Sequence, residues 1–193
     1  MTPLATMDDQ TAREAILSAA DRVFYDRGVA GTGMADIRDA SGVSLRRLYA
    51  MYPSKGDLAE AWLRERHHTW MAWFEASVRR KSAAGREPLV AAFDVIGDWA
   101  AQPGYRGCAF LNTAAETTEI DEAHRAVIAE HKRGLITYLA GLARTGGYHR
   151  PRELAESIAV LIDGAIVQSM ALSSRRPVTA ARRAALAVLE AHR

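Results

Sequence analysis

The sequence is poor in several things, and each shortage removes a class of protein. There is one cysteine in 193 residues, Cys108, so no internal disulfide framework can form, and the chain suits a reducing compartment. The N-terminal segment lacks the basic start and apolar stretch of a secretory signal. No run reads as the roughly 20 consecutive apolar residues of a membrane helix, so the expected location is cytoplasmic. Aromatic residues make up only 7%, and β-branched runs are short and scattered. The formal net charge is +2, too small to argue for a nucleic-acid partner on its own. Residues 1–66 hold nine Lys/Arg against ten Asp/Glu, a net of −1.

What is present is helix-forming. Apolar residues reach 49%, mostly Ala and Leu, with charged residues at 25%. This composition predicts an all-α protein of about nine helices, able to bury a real core. A capping-box pattern at Thr11 and Glu14 predicts the start of the first helix, with Ile16, Ala20, Val23 and Phe24 on one face and Gly28 as its stop. Thr32 is the expected N-cap of a short second helix carrying Met34 and Ile37 and ending at Ser41-Gly42. Ser44 caps a third, with Leu45, Leu48 and Tyr49, closed by Pro53. Ser54, with Asp57 three residues on, opens a long fourth helix towards Lys81. Further helices are expected near 88–101, 108–116, 121–144, 151–172 and 179–191, with breaks at 102–104, 117–118, 145–147 and 173–177. The segment from Cys108 to Leu111 also passes for a buried strand.

Two short helices joined by Ala40-Ser-Gly-Val43 form a helix-turn-helix pattern. The corner needs a small residue, a glycine and then an apolar anchor, which Ala40, Gly42 and Val43 supply. Ile37 and Leu48 pack the pair, freeing Leu45, Arg46, Arg47 and Ala50 for a major groove. An ordinary αα-hairpin has the same outline. Between Ser41 and Gly56 stand Arg46, Arg47 and Lys55 and no acid, a local basic face.

The order of elements resembles the TetR family of transcriptional regulators. The matching residues are Ala19-Ala20, Phe24, Gly28, Thr32, Ile37, Gly42-Val43-Ser44, Leu48-Tyr49, Ser54-Lys55 and Leu58. The resemblance implies a DNA-binding head over residues 8–53 and a ligand-binding and dimerisation body over 54–193. It implies phosphate contacts from Thr32, Arg47, Tyr49, Tyr52 and Lys55, and base-edge contacts from Leu45, Arg46 and Ala50. Arg46 has the fork to pair with guanine O6 and N7. Departures from the family's pattern are Gly33, Arg38 and Met51, so the operator is not to be inferred from relatives.

The body offers a wide apolar stripe in Leu154, Ile158, Leu161, Ile162, Ala165, Ile166 and Met170, and small residues Ala181, Ala184 and Ala185 beside Val188 and Leu189. These two last helices either form a homodimer's four-helix interface or close the monomer core. Trp70, Trp73, Phe74, Trp99, Phe110 and Tyr138 are candidates to line a cavity, and Trp73, Trp99, Phe110 and Tyr138, with Asn112, His131, Asp163 and Gln168 on or near apolar faces, are candidates for contact with a small-molecule effector. The alternative is a core in which the polar groups satisfy helix ends or one another. Cys108, next to Arg106 at a helix start, is either a structural thiol or a redox sensor. His124 and His131 share a face without a second ligand pair, and no phosphate loop or nucleophile elbow is present, so neither metal, cofactor nor enzyme activity is expected. The expected partners are operator DNA, a small-molecule effector and a second copy of the chain. A helical binding or adaptor protein with no DNA role is the competing class.

Overall fold

The computed structural model describes residues 7–116 and 122–193. Nine helices lie among them: α1 Asp9–Arg27, α2 Met34–Ser41, α3 Leu45–Met51, α4 Lys55–Ala83, α5 Pro88–Ala100, α6 Ala109–Glu116, α7 Glu122–Thr145, α8 Pro151–Ala171 and α9 Arg176–Glu190. The expected break at Thr117-Thr118 and a helix start at Asp121 lie outside the described residues. The described residues divide into two compact units, one of residues 7–66 with 111–116 and 122–127 and one of 67–110 with 128–193. Helices α4, α6 and α7 each contribute residues to both.

Helix starts depart from the sequence expectation where several caps compete. Asp8, not Thr11, caps α1, its carboxylate accepting the Thr11 N–H at 2.7 Å. That hydrogen bond holds the Asp8 carboxyl below the usual range. Gly33, not Thr32, precedes α2, and the Asp36 carboxylate accepts the Gly33 N–H at 2.8 Å. Helix α9 opens at Arg176 rather than Thr179, because Pro177 fits the first turn, where no N–H is needed. Residues 109–116 are helical, which removes the strand reading.

In the first unit, Ala12, Ile16, Ala19, Ala20 and Phe24 of α1 meet Ile37 and Leu48 in a core where all are 2% exposed or less. Asp21 fastens α1 to the start of α4, accepting from Trp62 Nε1 at 2.7 Å and from Arg66. Phe24 and Trp62 pack 5.3 Å apart beside that bond.

In the second unit, α5 is buried on nearly every side, with Leu89, Phe93 and Ile96 at 0% exposure. It packs against α8 and α9, which also pack together. Helix α8, at 21 residues with a mean hydropathy of 1.5, is long and apolar enough to cross a membrane, contrary to the sequence reading. Its buried residues, from Leu154 to Ser169, recur at helical spacing and face the unit's core, which accounts for the composition.

Candidate DNA interface and effector-facing residues

The corner between α2 and α3 is set by Gly42, whose φ of 71° is left-handed. A side chain there would cost about 1–2 kcal/mol of strain. Val43 is buried, and the Ser44 hydroxyl accepts the Arg47 N–H at 3.3 Å, starting α3. With Leu48 fully buried, the opposite face is fixed. Leu45, Arg46, Tyr49 and Ala50 are exposed on it, Tyr49 at 46%. Among the described residues Arg46 has no ion pair, so its fork is available to a base edge. Arg47 pairs with Asp9 at 2.7 Å, and Asp9 is 89% exposed. So exposed a pair contributes at most about 1 kcal/mol and can be exchanged for a phosphate.

Three residues that the family resemblance assigns to phosphates have inward duties. Thr32 is 2% exposed and its hydroxyl donates to the Gly28 carbonyl at 2.7 Å. Tyr52 is 4% exposed, lies under the Arg13 guanidinium, and its burial raises the phenol's pKa. The Lys55 ammonium donates to the carbonyls of Val29 at 2.8 Å and Thr32 at 3.1 Å, which leaves one of its three donors. Lys55 therefore braces the α1–α2 loop. Sequence reasoning missed Glu116, which accepts the Ala30 N–H at 3.2 Å on the same loop and lies against Gly28, where a Cβ would collide with its carboxylate. Its partner is 86 residues away, and no local pattern marks it.

In the second unit the aromatic candidates form one group. Trp70 contacts Trp73, Trp99 and Phe74 at centroid distances of 6.1, 5.8 and 4.8 Å. Tyr138 meets Phe74 edge-on, and Tyr105 meets Trp99. Trp70, Trp73, Trp99, Tyr105 and Tyr138 are all half-buried. Burial first, then the Glu75 carboxylate, raises the Tyr138 phenol's pKa. His131 is 2% exposed and stacks on Phe110 at 3.7 Å. Its Nδ1 lies 3.2 Å from His67 Nδ1, a contact that requires one ring to donate and the other to accept. Burial, then His68, lowers the His67 pKa. The Trp70 Nε1 is buried without a hydrogen-bond partner among the described residues.

Other candidates stand elsewhere. Asp163 binds Lys132 Nζ at 2.7 Å, and the same ammonium is 3.8 Å from Cys108 Sγ. The thiol's nearby cation is thus Lys132, where the sequence pointed to Arg106. Cys108 is 6% exposed. Asn112 is half-buried in the first unit. Gln168 is exposed on α8 beside Val167, away from that helix's buried face. No group of three or more His, Cys, Asp or Glu side chains among the described residues is arranged to hold a metal ion.

Residues 16–62 match the family described as bacterial regulatory proteins, tetR family. Residues 87–184, just over half the chain, match the C-terminal domain of LmrA/YxaF-like transcriptional regulators. The chain belongs to the TetR family. Its members are DNA-binding transcriptional regulators, and the nine-helix order with an N-terminal helix-turn-helix is their architecture. The chain is 42% identical over 60 residues to the HTH-type transcriptional regulator TtgR of Pseudomonas putida, a stretch covering 31% of this chain and 29% of the relative. The probable HTH-type transcriptional regulator ArpR, also of Pseudomonas putida, matches to the same extent. The likeness thus spans less than a third of either relative's length. Among solved structures, a TetR-family regulator from Streptomyces coelicolor is 27% identical with a TM-score of 0.78, covering 95% of this chain and 96% of that one. The reduced form of E. coli NemR has a TM-score of 0.81 at 19% identity, covering 92% and 97%, a likeness of fold.

Proposed function

We propose that this TetR-family chain is a ligand-responsive regulator, cytoplasmic and homodimeric, that represses from an operator and is released by a small molecule. The observation that carries the DNA part is the outer face of α3: Leu45, Arg46, Tyr49 and Ala50 exposed together, with Leu48 locked behind them. Arg46 reads base edges, while Arg47, Tyr49 and the remaining Lys55 donor hold phosphates. Thr32 and Tyr52 act from beneath, shaping the surface that meets the backbone. The functional division is a head of residues 8–53 and a body of 54–193.

Dimerisation uses the outer faces of α8 and α9. Val160 is 72% exposed and Val167 43%, and with Gly164 and Ala171 they form one stripe along α8. Ala180, Ala184 and Ala187 give α9 a stripe of small residues, with Leu186 at 45% exposure beside it. Such a surface permits close helix approach, and a two-fold axis lets two small heads read two half-sites. Gln168 lies on the α8 stripe and serves this interface, more than the effector contact expected from sequence.

The effector binds against the half-buried Trp73, Trp99 and Tyr138, with the buried stack of Phe110 and His131 behind them. Helix α4 is continuous from Lys55 to Ala83 and carries residues of both units, so a change at its later turns is transmitted along a single helix. Release requires the effector to bind the two states with different affinity, because equal affinity shifts nothing.

The test is operator binding by the purified chain to the DNA upstream of its own coding sequence. Sequence-specific binding that an aromatic small molecule weakens is the expected result. Absence of specific binding at moderate salt would favour a helical binding protein without a DNA role.

A further inference from the structure

A groove of about 770 Å³ opens in the second unit between the end of α4, the middle of α5 and the start of α9. Its polar lining is dominated by charge. Lys81, Arg86, Arg175, Arg176 and Arg182 face it, against two carboxylates, Asp94 and Asp98. Each carboxylate is shared. Asp94 has Arg86 at 3.0 Å and Arg182 at 3.1 Å, and Asp98 has Lys81 at 2.8 Å and Arg175 at 3.9 Å. Five cations less two carboxylates leave three positive charges in excess within one concavity.

The pairing is also incomplete in its geometry. Arg182 Nε lies within ion-pair range of Asp94, yet it is buried without a properly aligned hydrogen bond. Arg176 is exposed and has no ion pair among the described residues. Gly97, buried in the middle of α5, leaves space at the floor: a Cβ there would touch Val178 and the Arg175 guanidinium, at 3.6 and 3.7 Å. The lining shares no residue with the aromatic group of Trp70, Trp73 and Trp99.

We propose that this groove binds a small polyphosphate anion, inorganic or carried by a nucleotide, as a second ligand site of the body. Two features select phosphate. Four of the five cations are arginines, whose planar forks match phosphate oxygens pairwise. The volume lies in the range of small-molecule sites, roughly 300–1,000 Å³, and admits more than one phosphate group. A bound anion completes the pairing that Asp94 and Asp98 leave unfinished, and it crosslinks α4, α5 and α9. The proposal does not depend on the DNA-binding reading.

The test titrates the full chain with tripolyphosphate and, separately, with ATP, at constant ionic strength, by calorimetry and thermal unfolding. One site per chain is expected, with a rise in Tm of about 5 °C at a hundredfold excess over Kd. Equal binding of both compounds assigns recognition to the phosphate chain, and binding of ATP alone assigns it to a nucleotide; either outcome supports the site. Arg176→Ala, which breaks no ion pair, should weaken binding about tenfold. Arg152→Ala, which removes the same charge from an exposed pair elsewhere on α8, should leave it unchanged. The proposal is overturned by any of three results: no saturable binding, equal loss in both variants, or binding abolished by matched chloride. Displacement by duplex DNA, with no effect of Arg176→Ala, would likewise overturn it.

Discussion

The proposed head and body are both helical, yet they are organised by different kinds of contact. In the head the decisive features are short-range: a left-handed glycine at 42, a serine cap at 44 and a buried leucine at 48. In the body they are pairs far apart in sequence, such as His67 with His131 and Lys132 with Asp163, separated by 64 and 31 residues. A turn geometry admits few residue types at fixed spacing, so it leaves a pattern. A long-range pair admits many solutions and leaves none.

The largest expected effect falls on the packing that defines the head. Leu48→Ala removes a fully buried side chain and should cost about 2–5 kcal/mol, read by denaturant unfolding, with DNA binding lost alongside. If stability stays within experimental error of wild type, α3 is not anchored as described. Arg46→Ala should leave the fold intact and relax preference at one base pair, at about 1–3 kcal/mol in competition binding. A uniform loss over all sequences would place Arg46 on the backbone instead.

Lys55→Ala tests the double role of that ammonium. Its removal should weaken binding to every duplex and lower the salt slope by about 1. It should also loosen the α1–α2 loop, seen as faster amide exchange at Gly28–Thr32, because the Val29 and Thr32 carbonyls lose their donor. Slower or unchanged exchange would argue that Glu116 and the Thr32 hydroxyl hold the loop without Lys55.

A pH effect belongs to the body. The folded His67 pKa lies below its ordinary value, so the chain's stability is full above the unfolded pKa near 6.5 and falls as pH drops below it. The groups around it are His68, Glu130 and His131. His67→Gln should flatten the decline in Tm between pH 7.5 and 5, and an unchanged slope would assign the acid sensitivity elsewhere. The smallest effect is expected at Cys108, whose thiol is nearly inaccessible: peroxide should leave DNA binding unchanged in wild type and in Cys108→Ser alike. Loss of binding in wild type alone would make it a sensor.

Much of the head is therefore legible in the sequence. Ser44, Gly42, Ile37 and Leu48 occupy the roles that spacing alone assigns them. The differences arise where equivalent local signals compete: Asp8 and Thr11 both offer a cap, and the first available carboxylate takes the N–H. Whether a side chain near the surface faces in or out is also hidden, so the burial of Thr32 and Tyr52 leaves no mark in the sequence. In the body the aromatic residues are recognisable as a class, but the contacts of His67 and Trp70 with His131 appear only when the helices are brought together. Gln168 shows the limit of helical periodicity. A stripe as wide as that of α8 contains both a core face and an outer face, and composition does not say where one ends.

The central claim is that two copies of α3 read one DNA site. Footprinting of the full chain on its own upstream DNA tests it most directly. The account predicts a protected, nearly palindromic site whose half-sites lie about one helical turn, or a multiple of it, apart, and whose protection is lost in Arg46→Ala at the same concentration. Uniform, salt-sensitive coverage of any duplex, unaltered by that substitution, would contradict it.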